Sequence, residues 1–222
     1  MSDHSDALGG RLPLADPTDL VGAQRELFDK MTSAVVPWAD DTGFHSTTDD
    51  GRFIGPFNPA LLNPAMTSVS AELVLGEWEH TSLSPRVREV VILAVGAVWQ
   101  SDYELYAHSA AARKAGIPDD AVRVLASGGI PDDLSKDEKI AAELTRQLCT
   151  THRVDETLYR QAENCFGTKG LTDIAILVGS TTRYAQRSTC SRYPHHISAT
   201  SRAVANTSTK LSYRQDMTDR RP

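Results

Sequence analysis

Cysteine, aromatic side chains and long apolar runs are all scarce in this chain. Its 222 residues hold three cysteines, Cys149, Cys165 and Cys190, and aromatics make up 6% of the total. No two cysteines are close enough in sequence for a redox or zinc pair, which excludes a disulfide scaffold and a zinc ribbon. The longest uncharged apolar stretch, Val90 to Trp99, is far short of the ~18 residues that read as a membrane span. The opening Met-Ser-Asp-His-Ser-Asp lacks the basic-then-apolar layout of a signal peptide. No segment alternates with period two beside a hairpin turn, so no sheet is expected. There is no His-Glu-x-x-His motif and no Gly-rich phosphate loop after a strand. Ser101 has no histidine that sequence places at triad-like distance. What remains is a soluble cytoplasmic protein of the all-α class, with no sign of a metal, nucleotide or serine-nucleophile site.

The net charge of −6 conceals an asymmetry: residues 180–222 carry eight basic and two acidic side chains, whereas residues 1–179 sum to −12. The same last 43 residues hold fourteen Ser/Thr and only Ile197, Val204 and Leu211 from the large aliphatic and Phe set. Such a stretch has too little apolar surface to offset its ordering entropy, so a disordered, solvated tail is expected over 180–222. Although it is basic, it lacks aromatic interleaving, and no nucleic-acid partner is expected. Residues 1–10 read as a flexible N-terminus and residues 11–179 as one helical domain.

Within that domain the punctuation is clear. Leu20, Ala23, Leu27 and Met31 recur at helical spacing between Pro17 and Met31. Residues 37–62 are rich in Gly, Pro, Asp and Thr and read as a long ordered loop or lid. Asn63-Pro64 supplies an N-cap and a first-turn proline for a helix to about His80. Ser84-Pro85 repeats the device for a helix whose interior, Val90 to Trp99, is apolar on every face and is therefore the buried centre. Asp102 is placed to cap a helix over Tyr103–Ala115, and a short helix runs from about Asp119 to Ala126. Ser135 to Glu138 forms a capping box, Asp155 to Phe166 gives another helix closed by Gly167, and a last apolar helix runs from Leu171 to Val178.

Chemistry points to one place. Glu104 and His108, four residues apart, lie one turn from each other on one helix face. A carboxylate beside an imidazole raises its pKa and fixes its orientation, which makes a proton donor near neutral pH. If the two helices pack as a hairpin through Gln100-Ser101, Glu89 joins them, and two acids and one imidazole are then strongly coupled. The competing reading is a solvated Glu–His helix decoration, with Glu89 complementing the helix dipole. Arg86 and Arg88 are candidate anion contacts or plain surface charges. His80 and His152 sit at helix ends, and His195-His196 lies in the polar tail.

Leu83-Ser84-Pro85-Arg86-x-Arg88-Glu89, the apolar helix, Tyr103-Glu104-x-x-x-His108 and Ala112-Arg113-Lys114-Ala115-Gly116 together resemble the carboxymuconolactone decarboxylase family. Gly55-Pro56-Phe57-Asn58, the Asn63-Pro64 helix, Thr151-His152-Arg153-Val154 and Phe166-Gly167-x-x-Gly170 extend the likeness over about residues 11–179. The resemblance implies an alkylhydroperoxidase D-like all-α bundle and a ring-shaped homo-oligomer, a trimer or hexamer. In the peroxidase branch a Cys-x-x-Cys pair stands where this chain has Ser101 and Glu104, so thiol-dependent peroxide chemistry by that route is not expected. The decarboxylase branch implies loss of CO2 from a small carboxylated lactone such as 4-carboxymuconolactone, with no cofactor. It implies His108 as proton donor, Glu104 as its orienting partner and Glu89 as a second acid/base or positioning group. Arg86, Tyr103 and Ser101 are the expected substrate contacts. A peroxidase-like antioxidant protein and a non-catalytic helical oligomer of the same fold are the alternatives.

Past Gly179 the family pattern continues with a Tyr-Thr-containing apolar helix and a Leu-Asn-x-Phe segment, which this chain lacks. Codons for Ser180 to Cys190 read one nucleotide earlier permit that pattern. A frameshift near Gly179 is therefore expected, with a natural divergent tail as the alternative; the nucleotide sequence decides between them.

Overall fold

The computed structural model describes residues 8–193, and among them eight α-helices and no strand occur. In chain order these are α1 Gly22–Thr42, α2 Phe57–Ala60, α3 Pro64–His80, α4 Pro85–Trp99, α5 Asp102–Lys114, α6 Asp119–Ala126, α7 Lys136–Thr150 and α8 Glu156–Ser191. The all-α expectation holds.

Helix starts follow the caps in the sequence. The side chains of Asn63, Ser84, Ser135 and Asp155 each accept a bond from a backbone N–H of the first turn, and Ser135 and Glu138 complete a reciprocal capping box. Asp102 is not the cap of α5. Ser101 occupies that position without a side-chain cap bond, because Gln100 turns left-handed (φ 50°) and the Ser101 N–H closes onto the Gly96 carbonyl at 2.9 Å. This two-residue reversal folds α4 and α5 into the expected hairpin.

Helix α4 is the axis of the bundle and packs against α5, α6, α7 and α8. Val87, Val91, Ile92 and Val95 meet α7 and α8 in one cluster, while Val90 and Leu93 meet α5, α6 and α7 in another. Nine of its fifteen residues are buried, Arg88 and Glu89 among them. Helix α3, by contrast, buries none of its seventeen residues.

Three expectations are corrected. The loop expected from 37 is helical to Thr42, with Pro37 inside α1; Ala39 is fully buried there, clustered with Leu14, Phe44, Ile54 and Tyr103. The domain does not stop at 179. Helix α8 runs on to Ser191 with Ser180, Thr181, Ala185, Ser188 and Ser191 buried, and Tyr193 packs edge-on against Tyr103 at 6.0 Å. Small polar side chains read as solvated in a sequence but bury readily on a helix whose backbone satisfies its own polar groups. At the other end, Leu8 is buried and the Arg11 N–H donates to the Ser191 carbonyl at 2.7 Å, so part of the expected flexible N-terminus secures the end of α8. The remainder of the two expected terminal segments, 1–7 and 194–222, lies outside the described residues. Helix α8 is itself broken at Gly167 (φ 65°, ψ 178°), where an added Cβ would meet nothing; the backbone angle alone requires glycine there.

Candidate functional site

The α4–α5 hairpin brings Glu89, Glu104 and His108 together. Glu89 stands on the second turn of α4 because Ser84-Pro85 sets where that helix begins. His108 Nδ1 lies 2.9 Å from Glu89 Oε2 and its Nε2 lies 3.7 Å from Glu104 Oε2. The imidazole thus sits between two carboxylates. Glu89 and Glu104 are buried, and the His108 side chain retains 19% of its exposure. The solvated-decoration reading does not fit such burial.

The partner roles differ from those the helical spacing suggests. Glu104, the i–4 neighbour, is beyond hydrogen-bond reach of the ring, whereas Glu89 reaches across from the facing helix and binds it. A neutral ring held in this way donates Nδ1–H to Glu89 and turns Nε2 toward Glu104. Burial raises the Glu104 carboxyl, and Glu89 adds to that rise, while His108 and Arg187 pull it back in part. For His108, burial opposes the charged ring, but the charge and hydrogen bond of Glu89, helped by Glu104, outweigh it against Arg88, and the imidazole is raised. Both groups therefore hold protons more tightly than in water.

Two of the three expected substrate contacts, Arg86 and Tyr103, are bonded to other groups. Arg86 binds Glu138 through Nε at 2.5 Å and also donates to the Gly116 carbonyl, fixing α4 to the start of α7. Tyr103, 1% exposed, donates its hydroxyl to the His45 carbonyl at 2.6 Å; its ring lies against Gly55, where a side chain would collide with it. Ser101 is buried, its Oγ without a hydrogen-bond partner among the described residues. Arg88 is committed to Glu77 of α3 through both terminal nitrogens, one of them at 2.8 Å, and its guanidinium covers the Trp78 ring at 4.7 Å. Arg187 of α8, inside the expected tail, acts on Glu104 by charge, and nothing in the sequence marks it out. Among the described residues no group of three or more His, Cys, Asp or Glu is arranged to hold a metal ion, and no helix is long and apolar enough to cross a membrane.

Solved structures share this architecture. The core of an alkylhydroperoxidase AhpD-type, peroxidase-related protein from Ralstonia eutropha matches with a TM-score of 0.64 at 16% identity, over 82% of this chain and 90% of that one. The debrominase Bmp8, as a cysteine-to-alanine variant with 2,3,4-tribromopyrrole, matches with a TM-score of 0.62 at 12% identity, over 87% and 95%. A peroxidase-related protein from Silicibacter gives 0.57 at 18% identity, over 83% and 91%. At such identities the likeness defines a fold, and that fold is AhpD-like. Residues 64–147, from α3 through most of α7, match the Carboxymuconolactone decarboxylase family, a stretch that contains Glu89, Glu104 and His108. A search among curated proteins finds no match.

Proposed function

We propose that the protein is a carboxy-lyase for a small carboxylated lactone of the 4-carboxymuconolactone type, with His108 as the proton donor. One observation carries this reading: a half-buried imidazole held between two buried carboxylates, at 2.9 Å and 3.7 Å, with Ser101 and Glu104 where the resemblance puts the thiol pair of peroxide chemistry. In the reaction the bond from ring carbon to carboxylate breaks, its electron pair spreads into the lactone as a dienolate, and CO2 leaves. His108 then gives its Nε2 proton to carbon and regains one from solvent, so one proton is consumed for each CO2 released. Glu89 orients the ring through Nδ1, and Glu104, favoured in its protonated form, stands beside Nε2 as the second acid. A water-poor wall favours loss of a carboxylate's hydration. Purified protein given 4-carboxymuconolactone should release CO2, and H108A should lose about 10²–10⁴-fold in rate. No CO2 from the parent protein ends the reading.

A peroxidase-like antioxidant role is the second reading, supported by the names of the structural neighbours. Burial raises the thiols of Cys149 and Cys165, which disfavours their thiolates. Peroxide consumed in step with thiol loss would favour this reading over the first. Homo-oligomer formation through α3 accompanies either. Met66, Val69 and Leu73 are exposed on one face of it and Leu75 and Trp78 on the opposite face, with Leu62 exposed just before it. A second copy of the chain is its proposed cover. Dissociation of L73E in light scattering, with the parent remaining assembled, is the expected result.

A further inference from the structure

We propose that Arg187 forms a carboxylate-binding subsite at the mouth of the Glu89–Glu104–His108 cluster, on the part of α8 that lies beyond Gly179. As the subsite for the substrate's carboxylate, it rests on the carboxy-lyase reading; as an anion site, it stands on geometry. An anionic substrate that approaches the Glu89 carboxylate gains from a cation with open donors close by. Arg86 and Arg88 do not qualify, since Glu138 and Glu77 occupy them.

Arg187 is differently placed. Ser180, Tyr184, Arg187 and Ser191 recur at steps of four, three and four, one stripe of the helix, and Ser180 and Ser191 are buried, so the stripe faces inward. The guanidinium is half-buried and lies 5.1 Å from the centroid of the Tyr184 ring. Among the described residues it makes no hydrogen bond or ion pair. A guanidinium over a ring face keeps its edge donors available to take a carboxylate in bidentate fashion. Helices α5 and α8 are in contact, Tyr193 just past α8 packs on Tyr103, the residue before Glu104, and the charge of Arg187 is felt at the Glu104 carboxyl. A carboxylate held by Arg187 would face the raised imidazole of His108 as a second cation.

The test uses benzoate and benzamide, a near-isosteric anion and neutral molecule, followed by the ¹⁵N resonances of His108 in the full chain. Benzoate should bind more tightly than benzamide by roughly tenfold or more, the scale of a charge-assisted hydrogen bond. R187Q should abolish that preference, R187K should keep part of it, and R183Q, an exposed arginine one turn earlier, should leave it intact. A parent protein that does not distinguish the two probes, or an R187Q protein that distinguishes them as well as the parent, overturns the proposal. Benzoate bound through Arg187 with no CO2 released from the lactone defeats the carboxy-lyase reading and leaves the subsite standing. CO2 release with KM unchanged in R187Q does the reverse.

Discussion

Arg86 and Arg88 precede Glu89 by one turn or less on the same helix, yet the two groups of charges have opposite characters. At the start of α4 each cation meets one acid: Arg86 with Glu138, Arg88 with Glu77. The hydrogen bond from Arg86 draws the Glu138 carboxyl below its ordinary value, and the same bond raises Arg86. The two pairs fix how α3, α4 and α7 meet. One turn on, two acids share one imidazole, and both Glu104 and His108 are raised. Matched charges fix shape, whereas an unmatched set keeps a proton that can move.

The largest expected effect sharpens this contrast from the unmatched side: H108A should lose most turnover, and its melting temperature should fall as well because buried Glu89 loses its hydrogen-bond partner. From the matched side, R88A leaves Glu77 buried without its partner and should cost about 3–5 kcal/mol, read as an earlier urea midpoint in a protein that still binds benzoate.

The pH response comes next. Glu104 and His108 bind protons more tightly folded than unfolded, so what they contribute is complete below the ordinary glutamate value of 4.5. It is lost as pH rises through their folded values, which lie above 4.5 and above 6.5. Urea melts between about pH 5 and about pH 8 should show stability falling with pH, and E104Q should flatten that slope. Glu138 behaves inversely, its contribution being present above 4.5 and lost in acid. The smallest effect is R86A: the pair is partly exposed, so roughly 1 kcal/mol or less is expected, with KM for the lactone acid unchanged. A raised KM would return Arg86 to the substrate contacts.

Much of this was legible in the residues because short-range rules decide it. The Asn63-Pro64, Ser84-Pro85 and Ser135–Glu138 signals set three helix starts, and the turn at Gln100-Ser101 is short enough to force a hairpin that delivers Glu89 to His108. Which acid binds the ring was not legible, since that depends on how deeply α4 faces α5. Nor was the engagement of Arg86, whose partner lies 52 residues away on α7. The continuation of α8 was hidden for another reason. Its buried face is made of Ser180, Thr181 and Ser188, so composition signals solvent where tertiary packing closes the chain over Tyr103. The origin of that stretch, native or out of frame, is to be read from the nucleotide sequence.

Gly167 gives α8 two duties. Before it the helix joins the α4–α7 core through Leu158 and Ala162, and after it the chain resumes in a new direction, joins that core again through Ile174, Leu177 and Val178 and runs on to Ser191. One backbone angle, open only to a residue without a side chain, works as the elbow that decides how far the guanidinium of the distal arm stands from the imidazole. Altering that elbow would change the reach of the site without touching any atom in it.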